Sequence, residues 1–179
     1  MIEVRIHGRG GQGAVTAVTL LAKAVGVEDK FSQAFPAFGP ERRGAPVKAF
    51  CRISDEKIHT REQVNSPDYV IVLDPSLLFL PEIAEGLKPS SVVIVNSSKK
   101  EGFELDNEVH YFDATALALD VLKRDIVNTA MLGVFAKVTG HVKLESILKA
   151  LEEVFPPKIL EPNRELVSKA YEKAEGGKK

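Results

Sequence analysis

The chain predicts an α/β fold: a single three-layer α/β/α sandwich with a mostly parallel, Rossmann-like sheet and a helical C-terminal third. Three observations carry that expectation. An alternating opening stretch runs into a glycine-dense turn and then an apolar helix; two β-branched runs, Tyr69 to Leu73 and Val92 to Val95, follow; and the last third reads as helices. Continuous β-branched runs belong to strands covered on both faces, as parallel strands between helical layers are.

In Ile2-Glu3-Val4-Arg5-Ile6-His7-Gly8 the aliphatic residues alternate with Glu3, Arg5 and His7, the period-two pattern of a strand. Ala14 to Val25 is apolar almost all round, which predicts a buried helix with Gly26 as its stop. Phe31 to Phe35 is the candidate second strand. Val47 to Ile53 alternates again, and Lys57 to Thr60 reads as its hairpin partner across Ser54-Asp55-Glu56. Between the two β-branched strands, Leu77 to Leu87 takes the place of a crossover helix. A short strand at Val109 to Phe112 precedes helices expected at Ala114 to Lys123, Thr129 to Val138, Lys143 to Val154 and Arg164 to Ala174. In the third of these Leu144, Ile147, Leu148, Leu151 and Phe155 keep one face, and Pro156-Pro157 ends it. No repeat or linker divides the chain, so residues 1–175 are expected to form one domain and 176–179 a frayed tail.

Composition excludes several function classes. A chain of 179 residues buries a core without crosslinks, and 44% hydrophobic with 27% charged residues is the balance of a globular protein. The formal net charge of -1 argues against a general affinity for nucleic acid or anionic membrane. Cys51 is the single cysteine, so the chain forms no internal disulfide and cannot alone hold an iron–sulfur cluster, which takes about four thiolates. Its place in an alternating strand beside Phe50 predicts a buried side chain rather than a reactive thiol. His7, His59, His110 and His141 lack the i, i+4 spacing of a helical metal pair, so no metal site is expected. The opening Met1-Ile2-Glu3-Val4 has neither a basic n-region nor an apolar h-region, and no apolar run reaches the ~18 residues of a membrane span; a cytoplasmic protein is the expectation.

Gly8-Arg9-Gly10-Gly11-Gln12-Gly13 matches G-x-G-x-x-G between a strand and a helix, the setting of a dinucleotide turn. That fingerprint also needs an acidic residue about 20 residues on, at the end of the second strand, to hold ribose hydroxyls. Phe31 to Phe35 carries none, and Glu28 and Asp29 fall in the turn before it. The glycines therefore read first as a close-approach turn, whose helix N-terminus still suits a phosphate. Phe35-Pro36-Ala37-Phe38-Gly39-Pro40-Glu41-Arg42-Arg43-Gly44-Ala45-Pro46 cannot be a regular helix; it reads either as a surface loop with solvated arginines or, with aromatic and arginine anchors on a proline-stiffened backbone, as an ordered interaction loop. Asp74, Asn96 and Asp113 each follow an apolar strand, either lining one crevice with the glycine turn or serving as local helix caps. Asn96-Ser97-Ser98 is not followed by a clear helix.

Ile6 to Gly13, Gln33-Ala34-Phe35-Pro36, Gly39 to Pro46, Asp113-Ala114-Thr115 and Asn128-Thr129-Ala130-Met131-Leu132-Gly133 together resemble the gamma subunit of 2-oxoacid:ferredoxin oxidoreductases, of the pyruvate type also called pyruvate synthase. The likeness runs in order over nearly the whole chain. It implies a non-catalytic subunit of a complex that oxidatively decarboxylates a 2-oxoacid to acyl-CoA and CO2 while reducing ferredoxin, or runs in reverse. Thiamine diphosphate, Mg and iron–sulfur clusters then belong to alpha, beta and delta partners, coenzyme A is the acyl acceptor, and ferredoxin is the external electron acceptor. Consistent with a subunit, the sequence shows no arrangement of nucleophile, base and orienter. On this reading Gly8, Arg9, Gly10, Gly11, Gln12, Gly13, Asn96 and Ser97 border coenzyme A or an interface, and Phe35, Phe38, Glu41, Arg42 and Arg43 lie at an interface. An isolated copy is expected to be inactive and, with a partner-facing apolar patch uncovered, to self-associate as a homodimer. The substrate stays open among pyruvate, 2-ketoisovalerate and 2-oxoglutarate, and the alternative reading is an independent nucleotide-binding oxidoreductase domain.

Overall fold

The computed structural model describes residues 1–37, 43–99 and 105–177. Its strands are β1 (Ile2–Arg9), β2 (Phe31–Pro36), β3 (Pro46–Ser54), β4 (Tyr69–Val72), β5 (Val92–Asn96) and β6 (Glu108–Phe112), in the sheet order β2-β3-β1-β4-β5-β6. β1, β4, β5 and β6 are successive parallel neighbours. β3 runs antiparallel to both β1 and β2, so it alone among these strands is reversed. The sheet is mostly parallel, as expected.

The helices are α1 (Ala14–Val27), the single turn α2 (Pro81–Ala84), α3 (Ala114–Leu122), α4 (Asn128–Thr139), α5 (Leu144–Val154) and α6 (Pro157–Lys173). All the longer helices share one core with the face of the sheet that carries Val4, Ile6, Ile71 and Ile94. α4 lies deepest, with Met131 and Phe135 fully buried; burial of such side chains stabilises by about 1.5–3 kcal/mol each. α6 crosses it at backbone contact, since a Cβ on Gly133 would stand 2.5 Å from the Val167 carbonyl oxygen. The opposite layer is thin. Val70, Val72, Val93 and Val95 are covered there by Leu77, Leu78 and Ile83 from a short connecting segment.

That segment corrects one expectation. Leu77 to Leu87 is not one helix but a 3₁₀ turn, Pro75–Leu77, followed by α2. Pro81 has no N–H for the Leu77 carbonyl, and its ring crowds that carbonyl, so a helix cannot pass through it. The hairpin expectation also fails, because β3 is flanked by β1 and β2, and Lys57 to Thr60 is not a strand. The chain after β3 is instead held by Arg52, buried and in need of acceptors, which donates to the Glu62 carbonyl at 2.6 Å. Gly26 does not stop α1; the helix runs to Val27 and the turn beyond it uses Asp29 at φ 58. α6 begins seven residues before Arg164, with Pro157 in its first turn, where a missing N–H costs nothing.

On the thin-layer face β1 presents Glu3, Arg5 and His7. Arg5 is 2% exposed and donates to the carbonyls of Ile83 (3.1 Å) and Glu85 (2.7 Å). Cys51 is fully buried on the helical side, and burial pushes its thiol up to about 12, which leaves no thiolate to react. No helix among the described residues is long and apolar enough to cross a membrane.

Candidate functional site

The glycine turn joins β1 to α1 at the carboxyl ends of the parallel strands, where open α/β sheets place their ligands. Gly8 packs against Leu73 at the end of β4, where an added Cβ would sit 3.2 Å from Leu73 Cδ1. The Gln12 amide then donates to the Arg9 carbonyl at 2.9 Å, closing a tight turn, and the Gln12 side-chain oxygen accepts from the Arg9 amide at 2.7 Å. Gly11 and Gly13 take φ values of +98° and +81°, which explains why these positions are glycine.

Two further segments are tied to the turn. The Gly10 amide donates to the Ala45 carbonyl at 2.8 Å and the Gly44 amide to the Gly10 carbonyl at 3.0 Å, so the chain entering β3 is continuous with the glycine turn. The Arg9 guanidinium is distributed inward, from Nε to Asp74 Oδ2 (3.0 Å), from Nη1 to the Gly44 carbonyl (3.1 Å) and from Nη2 to Ser76 Oγ (2.7 Å). Asp74 Oδ2 also accepts from Gln12 Nε2 at 3.1 Å, while Oδ1 takes the Ser76 amide (3.0 Å) and hydroxyl (2.6 Å). Partial burial alone raises the Asp74 pKa, but the Ser76 and Gln12 hydrogen bonds and the Arg9 charge outweigh it and hold the group below the ordinary carboxylate value.

Beyond the turn lies a cavity of about 720 Å³ between the start of α1, the connection from α3 to α4, and the first turns of α6. Among the described residues no side chain caps α1 or α4, so their first amides are unclaimed by caps and carry the positive end of each helix dipole. Arg124 and Lys158 add cationic walls, and Leu122, Phe155 and Ile159 an apolar one. Asn128 stands at the floor beside Gly13, whose Cβ would fall 2.5 Å from Asn128 Nδ2. That nitrogen donates to the Gly13 carbonyl at 3.3 Å, and the buried Asn128 Oδ1 has no partner among the described residues.

Asn96 and Ser97 are used inside the protein. Asn96 Nδ2 donates to the Leu73 carbonyl (2.9 Å) and Thr115 Oγ1 (3.0 Å), and its Oδ1 accepts from the amides of Ala114 and Thr115, so all four of its hydrogen-bonding positions are filled. Ser97 closes a local turn with Lys99. Asp113 caps α3 through the Ala116 amide at 2.8 Å, as its local reading requires. Phe35 lies on the thin-layer face, 5.2 Å from the Phe50 ring and under the Arg52 guanidinium. Arg43 is exposed beside Gly44. Phe38, Glu41 and Arg42 lie outside the described residues.

The structure thus gathers Gly8 to Gly13, the segment beside Arg43 and Asp74 into one unit, and leaves Phe35 apart from it. Sequence reasoning missed Asn128, Arg124 and Lys158 as cavity residues. Asn128 stood within a stretch already singled out for its family likeness, but its distance from Gly13 in sequence hid their contact.

The sequence matches the pyruvate ferredoxin/flavodoxin oxidoreductase family over residues 3–173. Pyruvate synthase subunit PorC of Methanothermobacter thermautotrophicus is 53% identical over 98% of this chain and 97% of its own. The common gamma subunit of the pyruvate/ketoisovalerate oxidoreductases of Pyrococcus furiosus is 49% identical over 98% of each. The crystal structure of the pyruvate oxidoreductase subunit PORC of Thermotoga maritima superposes with a TM-score of 0.83 at 42% identity, covering 96% of this chain and 95% of that one. The chain belongs to the pyruvate ferredoxin/flavodoxin oxidoreductase family. Over nearly its whole length it corresponds to the gamma-type subunits.

Proposed function

We propose that the chain is the gamma subunit of a 2-oxoacid:ferredoxin oxidoreductase acting on pyruvate, and that it forms a wall of the coenzyme A site without supplying a catalytic group. The observation that carries this reading is the cavity at the glycine turn. It joins unclaimed helix N-termini, two cations against the single carboxylate of Asp125, and an apolar wall, a combination that suits a ligand with phosphates and a long uncharged arm. Arg124 and Lys158 would take phosphate charge, and the amides around Gly13 and Ala14 would donate to phosphate oxygens. When bound, coenzyme A supplies the thiol that accepts the acyl group.

The chain's own nucleophile is withdrawn from such chemistry, since Cys51 is buried and protonated. From the family likeness, thiamine diphosphate with Mg, and the iron–sulfur clusters, are assigned to alpha, beta and delta partners, with ferredoxin as external acceptor and the cytoplasm as the compartment. Ile126 and Ile159, both more than 40% exposed, stand in the cavity wall and suit cover by a partner. Phe35, Phe38, Glu41, Arg42 and Arg43 are proposed as further partner-contacting residues. A free-standing dinucleotide enzyme is disfavoured because β2 ends in Ala34-Phe35-Pro36, without a carboxylate for a ribose.

Replacing Arg124 and Lys158 together with alanine in the assembled complex is expected to raise the apparent KM for coenzyme A at least about tenfold, with a much smaller loss of kcat, as removal of two charge-assisted contacts implies. Steady-state reduction of a viologen dye at varied coenzyme A measures this. An unchanged KM would reject the cavity as the coenzyme A site.

A further inference from the structure

Asp74 reads locally as a helix cap, and its contacts with Ser76 satisfy that role. Capping occupies only Oδ1. The second oxygen faces away from the 3₁₀ turn and accepts from both Arg9 Nε and Gln12 Nε2, side chains that come from the glycine turn 62 or more residues earlier. A cap needs neither contact. Ser76 joins the same network, because its hydroxyl donates to Asp74 Oδ1 and accepts from Arg9 Nη2.

We infer that Asp74 is a positioning residue for the glycine turn, acting through Arg9, Gln12 and Ser76 to hold the turn against the Gly44–Ala45 segment with the α1 N-terminus open to the cavity. Arg9 is accordingly a structural staple of the turn. Each of its three side-chain nitrogens donates one bond within this network, to Asp74, Ser76 and the Gly44 carbonyl, and its charge is paired at 3.0 Å. Gln12 is fixed at both ends of its amide, by the Arg9 amide and by Asp74. Without the carboxylate, the Gln12 side chain is anchored at one end only and the Arg9 charge loses its partner, leaving only its bonds to Ser76 and the Gly44 carbonyl. Glycine at residues 10, 11 and 13 gives the turn no side-chain packing of its own, so its conformation depends on these bonds. Any effect of Asp74 on ligand affinity rests on the coenzyme A reading of the cavity; its effect on the turn does not.

The test uses the assembled complex with Asp74→Asn, which keeps the size of the side chain and an oxygen for the Ser76 amide. Hydrogen exchange at the Gly10 and Gly44 amides, both bonded across the two segments, is expected to quicken at least tenfold. The apparent KM for coenzyme A is expected to rise at least fivefold, and by a larger factor than kcat falls. Gln12→Glu sets a second carboxylate against Asp74 and is expected to reproduce both effects, which keeps the test open if Asp74→Asn does not assemble. In a cycle of Arg9→Ala, Asp74→Ala and the double variant, the double variant should be no worse than the worse single one, because one network is removed. Unchanged exchange at Gly10 and Gly44 in both Asp74→Asn and Gln12→Glu, or fully multiplicative effects in the cycle, would overturn the proposal. Faster exchange with an unchanged KM would uphold Asp74 as the positioning residue and sink the coenzyme A reading instead.

Discussion

Gly86→Ala is expected to lower stability by about 3 kcal/mol or more. Gly86 holds φ +71°, and a Cβ built there stands 1.8 Å from the Asn65 carbonyl oxygen. The left-handed backbone alone costs an alanine about 1–2 kcal/mol. The clash adds to this, because its partner is main chain and has no rotamer to adopt. Relief requires the Gly86 turn to move, and the residues just before it supply the Ile83 and Glu85 carbonyls that accept from Arg5 Nη2. A buried guanidinium deprived of its acceptors is among the costlier defects a core can carry. Gly140→Ala is the control, with φ +66° and no neighbour within 4 Å of its Cβ, so only the backbone cost applies. Urea unfolding midpoints measure both. Equal losses at the two positions would show that the Asn65 contact yields freely.

Acid is expected to destabilise the protein through His7 well before most carboxylates titrate. His7 is 4% exposed, its Nε2 has no partner among the described residues, and burial first, then the Arg5 and Lys48 charges, push its pKa down to about 3. Between pH 6.5 and 3 the unfolded chain binds a proton that the native state refuses. Stability from this group is therefore full above pH 6.5 and falls by about 1.4 kcal/mol per unit below it, or about 3 kcal/mol by pH 4.5. His7→Leu removes this slope and leaves the contribution of every other group in place. The difference between the two pH profiles of unfolding free energy isolates His7. Parallel profiles from pH 7 to 4.5 would contradict its burial as a neutral base.

The strands were legible where their patterns are local. Valine and isoleucine runs identify β4 and β5, and the alternations at Ile2 to Ile6 and Val47 to Ile53 identify β1 and β3. Alternation does not name a partner, however. Lys57 to Thr60 lies next to β3 in sequence, whereas β3 pairs with β2 on one side and on the other with β1, about 45 residues back, and only the packed sheet decides between them. The helix expected at Leu77 to Leu87 does not form because Pro81 breaks it into a 3₁₀ turn and α2. For the candidate site, the glycine turn was readable because positive φ demands glycine, and Asp74 was readable as a cap because Ser76 follows it closely. Its bonds to Arg9 and Gln12 were not, since they exist only because β4 is seated beside β1. Asn128, Arg124 and Lys158 reach the turn through helix packing, which no short-range pattern records.

The role of the chain as a necessary, non-catalytic subunit is tested most directly by reconstitution. Alpha, beta and delta partners are expressed with and without this chain, and pyruvate- and coenzyme A-dependent reduction of a viologen dye is measured beside the chain alone. The expected result is turnover by the full assembly, none by the isolated chain, and loss of the coenzyme A-dependent reaction when the chain is left out. Full activity of the assembly lacking it, or turnover of an NAD-linked or 2-oxoacid substrate by the chain alone, would contradict the account.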